Sequence, residues 1–482
     1  MIKKFIALFF LYYLSTNLVV AQDYKAVQGS LYAGSLGIGN NPASIVSTPF
    51  PWDLNLFSFQ FGTATNLYTI TNFSLISPGK TSYYHANEGY YQRYLDFDFN
   101  VNLLNARISL DRKHALAFGA NLRGYSHLRT SSYNINDTLK NAKEFFQINP
   151  LNNNYNGNFT SSSWLEAFIS YSQTIWESSD SRLNAGFTLK DTRGLSGAVA
   201  ELQNGFVSIT GTPNNTAYII TNASAQYGYS ANYDNWQNGN TASQNLKNLF
   251  SNSRGSAAID LGFEYLIKPQ GTKINNYEDD FYDYEWKIGL SLLDFGFNQY
   301  LFGTQSRSFT GAGVNVTDSS LTDKFRTISS LAKFNDSVST VTKGFSSISG
   351  KFKIWNPTRI VVNVDRDLGN NFYINADLSI GLFPSTGSIR SIHAQELSRL
   401  TVTPRWETKT WGAYLPIQFN AENQFLVGGA FKAGPLIMGI HNWANIFSKN
   451  KILNGGGYLA LVIHPFKFNK ETTDKRFDCP GK

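Results

Sequence analysis

Apolar and polar residues alternate one by one in many separate segments of this 482-residue chain. In the segment 95–103, every odd position is apolar and every even position is Asp or Asn. The same two-residue period recurs in 182–190 and in 372–382. Successive side chains of a β-strand point to opposite faces, so each segment predicts a strand with one apolar and one polar face. In an exported chain, this pattern predicts a transmembrane antiparallel β-barrel, apolar toward lipid and polar toward its lumen.

The N-terminus has the three parts of a secretory signal peptide. Lys3 and Lys4 are basic, residues 5–14 are apolar, and small residues end at Ala21. This order predicts cleavage after residue 21, with the mature chain starting at Gln22. The alternative is an uncleaved anchor, but the apolar stretch is short for a membrane helix, which needs about 20 residues. We therefore expect export without a helical anchor.

Composition fits an exported barrel. After the signal, the chain has no run of roughly 20 apolar residues, as a membrane helix would need, and its mean hydropathy is −0.25. Half of each barrel strand faces a polar lumen, so a low hydropathy is expected. Phe, Tyr and Trp make up 15% of the residues, which suits aromatic belts at the membrane surfaces. The single cysteine, Cys479, excludes an intramolecular disulfide.

The charge gives no sign of a nucleic-acid partner. The formal net charge is +7, and two of the basic residues lie in the predicted signal. The remaining Lys and Arg residues are spread along the chain rather than grouped in one patch. We expect outer-membrane lipid and lipopolysaccharide, rather than nucleic acid, to surround the protein.

About fourteen strands can be delimited by alternation and by turn residues, and single-chain bacterial barrels have an even number. Short connections alternate with long ones, which predicts periplasmic turns, extracellular loops and both termini in the periplasm. We divide the chain into a signal peptide (1–21), an N-terminal hatch (22–52), the barrel (53–467) and a periplasmic tail (468–482). The predicted strands are 53–72, 94–110, 114–128, 163–175, 182–190, 256–267, 285–295, 358–365, 372–382, 399–408, 410–419, 424–432, 435–441 and 456–467.

Two of the long loops are predicted to contain short helices. Leu321, Phe325, Ile328 and Leu331 recur at helical spacing after Ser320, a possible N-cap. The segment 246–250 has a similar apolar spacing. Such helices can pack on the rim of the barrel, or they can form a lid or a surface that binds a partner. The sequence leaves both interpretations open.

Tryptophan positions predict an aromatic belt. Trp286 and Trp411 each start a strand and share the parity of its apolar residues, so we expect both on the lipid-facing side at the membrane surface. Trp164 and Trp176 share the parity of polar residues. They are therefore predicted to face the lumen unless a β-bulge shifts the register.

Polar residues at lumen-facing positions have two interpretations. They can line an ion-selective channel, or they can form a hydrogen-bonded network that fills a closed barrel. We favour the network, because charges buried without partners are costly. These residues are Asp96, Asp98, Asn100, Arg182, Lys190, Asp260, Glu264, Asn375 and Asp377.

No motif in the sequence predicts a metal, a cofactor or a catalytic site. Glu278, Asp279, Asp280, Asp283 and Glu285 are close together, but their spacing does not match an EF-hand loop. The six histidines lack metal-ligand spacing, and nucleophile-elbow, zincin and P-loop motifs are absent. We therefore predict a protein without a catalytic site, a metal or a cofactor.

Several short motifs, in their order along the chain, resemble those of a Bacteroidota outer-membrane barrel family known only as a domain of unknown function. The first, Asn41-Pro42-Ala43, also resembles the hatch motif of the FadL-like superfamily, which includes PorV-type proteins. The resemblance implies a fourteen-stranded barrel with an N-terminal segment inside its lumen. The other motifs are Arg254-Gly255 before Asp260-Leu261-Gly262, Lys432 to Leu436 before Gly439, and Asp478-Cys479-Pro480.

The resemblance leaves two functional hypotheses. PorV-type relatives imply an accessory subunit that binds partners in a larger outer-membrane complex, for type 9 secretion or barrel assembly. FadL-like relatives imply passive transport of hydrophobic small molecules. The long predicted loops favour the first hypothesis. Conduction through an open pore is least expected, since a hatch leaves little free lumen in a barrel of this size.

Overall fold

A computed structural model describes residues 26–74, 82–212, 215–237, 239–251, 253–269, 282–384, 387–447 and 451–465. The predicted signal peptide and the predicted C-terminal tail with Cys479 lie outside the described residues.

Fourteen antiparallel strands form a closed barrel, as predicted. Each strand pairs with its neighbours in the chain, and the first pairs with the last between Leu54↔Ile463 and Ala64↔Asn454, so the sheet has no free edge. The strands are β1 (Trp52–Thr65), β2 (Tyr91–Ser109), β3 (His114–Tyr133), β4 (Tyr155–Glu177), β5 (Ser181–Thr212), β6 (Arg254–Ile267), β7 (Trp286–Leu301), β8 (Arg359–Asp367), β9 (Phe372–Gly381), β10 (Arg399–Glu407), β11 (Trp411–Tyr414 and Ile417–Asn420), β12 (Phe425–Val427 and Gly429–Ala433), β13 (Leu436–Ile440) and β14 (Asn454–Ile463).

Burial alternates along the strands as the sequence pattern predicts. In β6, Asp260 and Glu264 are buried on the lumen side, whereas Leu261, Phe263 and Tyr265 are exposed on the outer side. The outer surface is therefore apolar and the lumen polar, which identifies the protein as an outer-membrane β-barrel.

The barrel is much taller on one side than on the other. Strands β4 and β5 have 23 and 32 residues, whereas β8 and β10 have 9 each. A tilted strand crosses a membrane with about 9–11 residues, so β4 and β5 continue well beyond it. Both continue at the end that carries the long loops, which we call the long-loop end. The opposite end is the short-turn end.

The predicted end of β5 near position 190 was wrong. The strand continues to Thr212 and returns as a strand over Asn215–Tyr229, forming a tall hairpin. Beyond the membrane, neither face of this hairpin contacts lipid. The strict alternation that marks a barrel strand is therefore lost, although the hydrogen-bonded ladder continues.

The long-loop end also contains helices and short strands. The helix predicted after Ser320 is in fact two, because the chain turns at Arg326, and Thr317 and Ser330 are the N-caps. The helix predicted at 246–250 is confirmed. The α-helices are α1 (Ala142–Gln147), α2 (Ala242–Ser251), α3 (Asp318–Phe325), α4 (Leu331–Val341) and α5 (Ala444–Phe447). The 3-10 helices are Gly34–Gly37, Pro42–Ser47 and Ala231–Asn235. The short strands are Tyr68–Thr71, Tyr83–Ala86, Arg307–Phe309, Gly311–Ala312, Thr342–Lys343, Ser346–Ser347, Lys351–Trp355, Gly387–Ser388 and Ser391–His393.

None of the helices in the described part of the chain is both long and apolar enough to cross a membrane.

Candidate functional site

The lumen of the barrel is filled by the described part of the hatch, residues 26–51, together with side chains of the wall. Near the start of the hatch, Val27 and Leu36 pack against Tyr414 and Tyr458 of β11 and β14. Further along, Ile45 packs on the opposite side of the barrel against β3 and β4. The hatch is therefore held between two walls, and each fully buried aliphatic side chain contributes about 1.5–3 kcal/mol.

Asn41 and Pro42 determine how the chain turns inside the lumen. The Asn41 side chain accepts a hydrogen bond from the Ala43 backbone N–H at 2.9 Å, and so caps the 3-10 helix over Pro42–Ser47. Its amide also donates to the backbone oxygen of Phe263 in β6 at 2.9 Å. The predicted hatch motif therefore lies inside the barrel, with its asparagine bound to the wall.

Three glycines of the wall leave space for this motif. Gly186, Gly262 and Gly289 lie on the adjacent strands β5, β6 and β7 and face the lumen. A Cβ atom on Gly186 would lie 2.7 Å from the Pro42 backbone. A Cβ on Gly262 would lie 2.1 Å from Asn41 Oδ1, and one on Gly289 would lie 2.8 Å from Asn41 Nδ2. We call these three residues the glycine cradle.

Arg107 of β2 holds the end of the hatch. Its guanidinium donates to the backbone oxygens of Ile45, Thr48 and Phe50 at 2.6, 3.3 and 2.8 Å. It also pairs with Asp53 at 3.3 Å, and both side chains are buried. Asp53 in turn accepts from the backbone of Ser35, near the start of the hatch, at 2.8 Å. One buried ion pair thus connects both halves of the hatch to the wall.

A buried network of charges centres on Asp294 of β7. Its carboxylate contacts Arg123 at 2.5 Å, Lys190 at 2.7 Å and Arg359 at 2.7 Å. Arg359 also donates to the backbone oxygen of Gly39 in the hatch at 3.0 Å. The network therefore joins wall strands on different sides of the lumen and includes the hatch.

The sequence did not predict the inward position of Asp294, because by simple parity it shares the outer face of β7. A β-bulge between Leu292 and Phe295 shifts the register there. Asp294 itself has a left-handed backbone, with φ 59°. The extra residue turns the carboxylate inward, and period-two counting cannot locate such a bulge.

A second ionic cluster lies nearer the short-turn end. Arg405 pairs with Asp365 at 2.6 Å and with Glu407 at 3.1 Å. Both Arg405 and Lys287 also donate to the backbone oxygen of Gly29 in the hatch. This cluster again joins wall and hatch.

The nine polar residues predicted to face the lumen do so, and several lie in hydrogen-bonded clusters with the hatch. Glu264 accepts from Ser47 of the hatch at 2.5 Å, and Asp377 accepts from Asn40 at 3.3 Å. Lys190 pairs with Asp260 at 2.7 Å. This arrangement favours the predicted network over an ion-selective channel.

The spaces described beside the hatch are small. Two enclosed cavities measure about 20 and 40 Å³, enough for one to a few water molecules each. Pockets for small-molecule ligands are typically about 300–1,000 Å³. A wider cleft of about 510 Å³ opens at the long-loop end, and its lining includes Arg129, Glu201 and Asn156. That cleft is polar and open, so it does not resemble a site for a hydrophobic molecule.

The tryptophans lie at different surfaces of the barrel. Trp411 is exposed at the start of β11, and Trp286 is partly exposed at the start of β7, where Arg366 lies 4.6 Å from its ring. Trp164 faces the lumen and is fully buried, as predicted. Trp176 faces outward, because a bulge between Thr174 and Trp176 shifts the register.

The structure describes only part of the acidic segment. Glu278, Asp279 and Asp280 lie outside the described residues, and Glu285 lies 3.9 Å from Arg366. Among the described residues, no three His, Cys, Asp or Glu side chains are grouped so that they could hold a metal ion.

Comparisons with known proteins give one family and several distant structural likenesses. Residues 42–440 match the model of a family described as "Family of unknown function (DUF5723)". No curated protein matches the sequence.

Among solved structures, the chain is similar to a Pseudomonas aeruginosa FadL homologue, with 9% identity, coverage of 93% of this chain and 99% of that one, and a TM-score of 0.42. It is also similar to the Pseudomonas putida toluene transporter TodX, with 11% identity, coverage of 92% and 93%, and a TM-score of 0.34. For the translocator domain of the autotransporter NalP from Neisseria meningitidis, the identity is 7%, the coverage 86% and 88%, and the TM-score 0.29. Likenesses this distant carry no functional argument.

Proposed function

This chain belongs to the family of unknown function DUF5723, and we propose that it is a non-enzymatic accessory subunit of a larger outer-membrane complex. In this proposal the barrel anchors the protein, and the long-loop end binds the partner. The complex would serve protein secretion of the type 9 kind or the assembly of outer-membrane proteins.

The main support is the filled lumen. The hatch contacts the wall through the glycine cradle, Arg107 and two ionic clusters, and the cavities described beside it are of water size. Moving this hatch would break the hydrogen bonds that buried Arg107, Lys287 and Arg359 donate to its backbone oxygens, and a hydrogen bond to a charged group contributes about 1.5–3 kcal/mol. A barrel filled in this way is better suited to anchoring than to conduction.

The long-loop end is rigid enough to present a binding surface. Helix α4 packs on the tall hairpin, because the ring of Phe334 contacts Tyr227 at 5.7 Å and Phe325 of α3 at 5.6 Å. Asn335 accepts a hydrogen bond from the Tyr227 hydroxyl at 2.5 Å. These helices therefore pack on the rim, and the rim extends far above the membrane.

One lobe of this rim exposes large apolar side chains. It comprises residues 231–237 and 239–251, with the 3-10 helix Ala231–Asn235 and α2, joined where Asn232 donates to Leu249 O at 2.9 Å. Tyr233, Trp236, Leu246 and Phe250 are all at least 40% exposed. Exposed apolar groups beyond the membrane favour contact with a protein.

Affinity purification from native membranes in a mild detergent tests the proposal. The wild-type chain should retain a stoichiometric partner, and the double variant Trp236→Ser/Phe250→Ser should lose it. The control Leu151→Ser also removes an exposed apolar residue, but outside the lobe, and should retain the partner. Recovery of the barrel alone, or equal retention by all variants, would contradict the proposal.

A second candidate function is passive transport of hydrophobic molecules through the barrel wall. Pro404 and Pro416 interrupt the ladder in the adjacent strands β10 and β11. Leu415 N donates to Pro404 O and Gly428 N donates to Pro416 O, but neither proline can return the bond. Two missing hydrogen bonds in neighbouring strands favour a lateral opening at this place.

Reconstituted vesicles separate the two functions. Transport through the wall predicts uptake of a fluorescent fatty acid that falls when Pro404→Val and Pro416→Val restore the missing donors. No uptake above empty vesicles, together with a retained protein partner, would favour the accessory subunit.

A further inference from the structure

An aromatic ridge runs across the outer wall at the long-loop end. Phe297 of β7 contacts Trp355 with ring centroids 5.3 Å apart. Trp355 stacks on His393 at 5.7 Å, and His393 contacts Phe383 at 4.7 Å. These four residues come from three separate segments of the chain, and we call them the aromatic ridge.

The ridge lies on the outer face of a small sheet. The strand Lys351–Trp355 pairs with β7 between Phe297↔Trp355 and Leu301↔Lys351, and with Ser391–His393 on its other side. Phe352 and Ile354 are fully buried on the inner face, in a core with Tyr300. Because side chains alternate along a strand, Lys351, Lys353 and Trp355 project from the opposite, outer face.

The height of the ridge matches the edge of a membrane. Phe297 lies eleven positions after Trp286 along β7, and the bulge between Leu292 and Phe295 takes up one of them. At about 3.3 Å for each of the other ten and a tilt of 35–45°, these strand positions lie roughly 23–27 Å apart along the membrane normal. The apolar band of an outer-membrane barrel is about 25 Å tall. The two aromatic positions therefore fit the two surfaces of one bilayer.

Two cations adjoin the ridge without an acidic partner. The Lys353 ammonium lies 4.3 Å from the centroid of the Phe297 ring, a cation–π contact. Lys351 lies two residues away on the same face. Arg390, in the turn before Ser391–His393, does not belong to this group, because its guanidinium lies 5.7 Å from the ring of Phe302 in the inner-face core. Among the described residues, no carboxylate lies within 4.0 Å of the Lys351 and Lys353 side chains.

We propose that this surface binds the phosphate groups of an outer-leaflet lipid, with Lys351 and Lys353 on the phosphates and the aromatic ridge against the upper acyl chains. Unpaired cations at the level of the lipid headgroups attract anionic lipid, and the apolar surface below them continues into the lipid-facing wall, where Phe295 is exposed. The proposal includes the orientation predicted from the sequence, with the long loops outside. It does not depend on the proposed protein partner.

Binding of diphosphoryl lipid A to the full-length barrel in detergent micelles tests this site. The double variant Lys351→Gln/Lys353→Gln should bind at least about tenfold more weakly, because each basic residue near the surface contributes to the attraction. The matched control, Lys140→Gln/Lys143→Gln, removes the same charge just before and within α1, where these two side chains likewise have no acidic partner among the described residues, and should bind as the wild type does. The wild type and the control should bind monophosphoryl lipid A more weakly than the diphosphoryl form, whereas the double variant should bind the two lipids equally.

Other outcomes would overturn the proposal. Equal losses of affinity in the double variant and in the control would mean that net charge alone attracts the lipid, and no loss in either would exclude the site. Competition by millimolar inorganic phosphate would mean a site for the free anion instead of a lipid. If the double variant does not fold, the single variant Lys353→Gln should still weaken binding about threefold, and unchanged binding would refute the role of the ridge.

Discussion

Adding a methyl group to the glycine cradle should release the hatch from the wall. In Gly262→Ala, the new Cβ would lie 2.1 Å from Asn41 Oδ1 and 3.0 Å from Pro42 Cδ. Ordinary contacts begin near 3.4 Å, so Asn41 must move by more than 1 Å. That movement breaks its hydrogen bonds to Phe263 O and Ala43 N, both 2.9 Å.

The expected cost follows from these contacts. Overpacking of a filled interior costs about 1–3 kcal/mol, and loss of a helix N-cap costs about 1 kcal/mol. If the hatch opens without unfolding of the barrel, a decrease of about 1–3 kcal/mol in the free energy of hatch opening speeds the amide exchange of the hatch roughly 5- to 150-fold.

Hydrogen exchange measured by mass spectrometry over residues 26–51 tests this prediction. Gly255→Ala is the matched control, because Gly255 lies on the same strand and a Cβ there would meet nothing within 4 Å. The control should leave exchange over the hatch unchanged. Equal exchange of the hatch in Gly262→Ala and in the wild type would refute the reasoning that the glycines accommodate Asn41 and Pro42.

Three further predictions concern other contacts. Arg107→Met removes the donors to three hatch carbonyls. Amide hydrogen exchange should therefore rise more over residues 45–50 than over residues 34–37, and an equal rise in both segments would contradict this. Asp294→Asn removes the carboxylate that Arg123, Lys190 and Arg359 share, and each cation keeps one other carboxylate. The free energy of unfolding should fall by up to about 3–5 kcal/mol, seen as a lower unfolding temperature than in Asp180→Asn, an exposed turn variant; equal temperatures would refute this. In the turn between β2 and β3, the backbone N–H of Lys113, followed by the His114 side chain, lowers the pKa of Asp111. Its stabilising contribution is therefore present above the unfolded pKa and is lost as pH falls through the lowered value; a carboxyl NMR titration that gives an ordinary or raised pKa would contradict this.

The membership in a family of unknown function and the outer-membrane barrel were both predictable from the sequence and are confirmed. The Bacteroidota origin, the PorV-like role, the position of the termini and the protein partner stay predictions. The aromatic-belt role of Trp286 and Trp411 also stays a prediction, although both lie at strand ends.

The hatch illustrates the limit of sequence reasoning at the candidate site. Asn41, Pro42 and Ala43 were recognised as a motif, but their partners Gly186, Gly262 and Gly289 were not. The available signal was a glycine at a lumen-facing position in three consecutive strands. A glycine in a strand can mark a bulge, a bend or the close approach of another backbone. Only the position of the hatch in the structure shows that close approach applies here.

By itself, the sequence determined that the chain is an outer-membrane barrel with about fourteen strands, because a two-residue period allows only one arrangement between water and lipid. It also determined which face of most strands is polar. The tertiary structure alone decided where β-bulges reverse that pattern, as at Trp176 and Asp294, and how far β5 rises beyond the membrane. These features depend on pairing between strands and on contacts across the lumen, and such contacts leave no periodic trace in the sequence of a single strand.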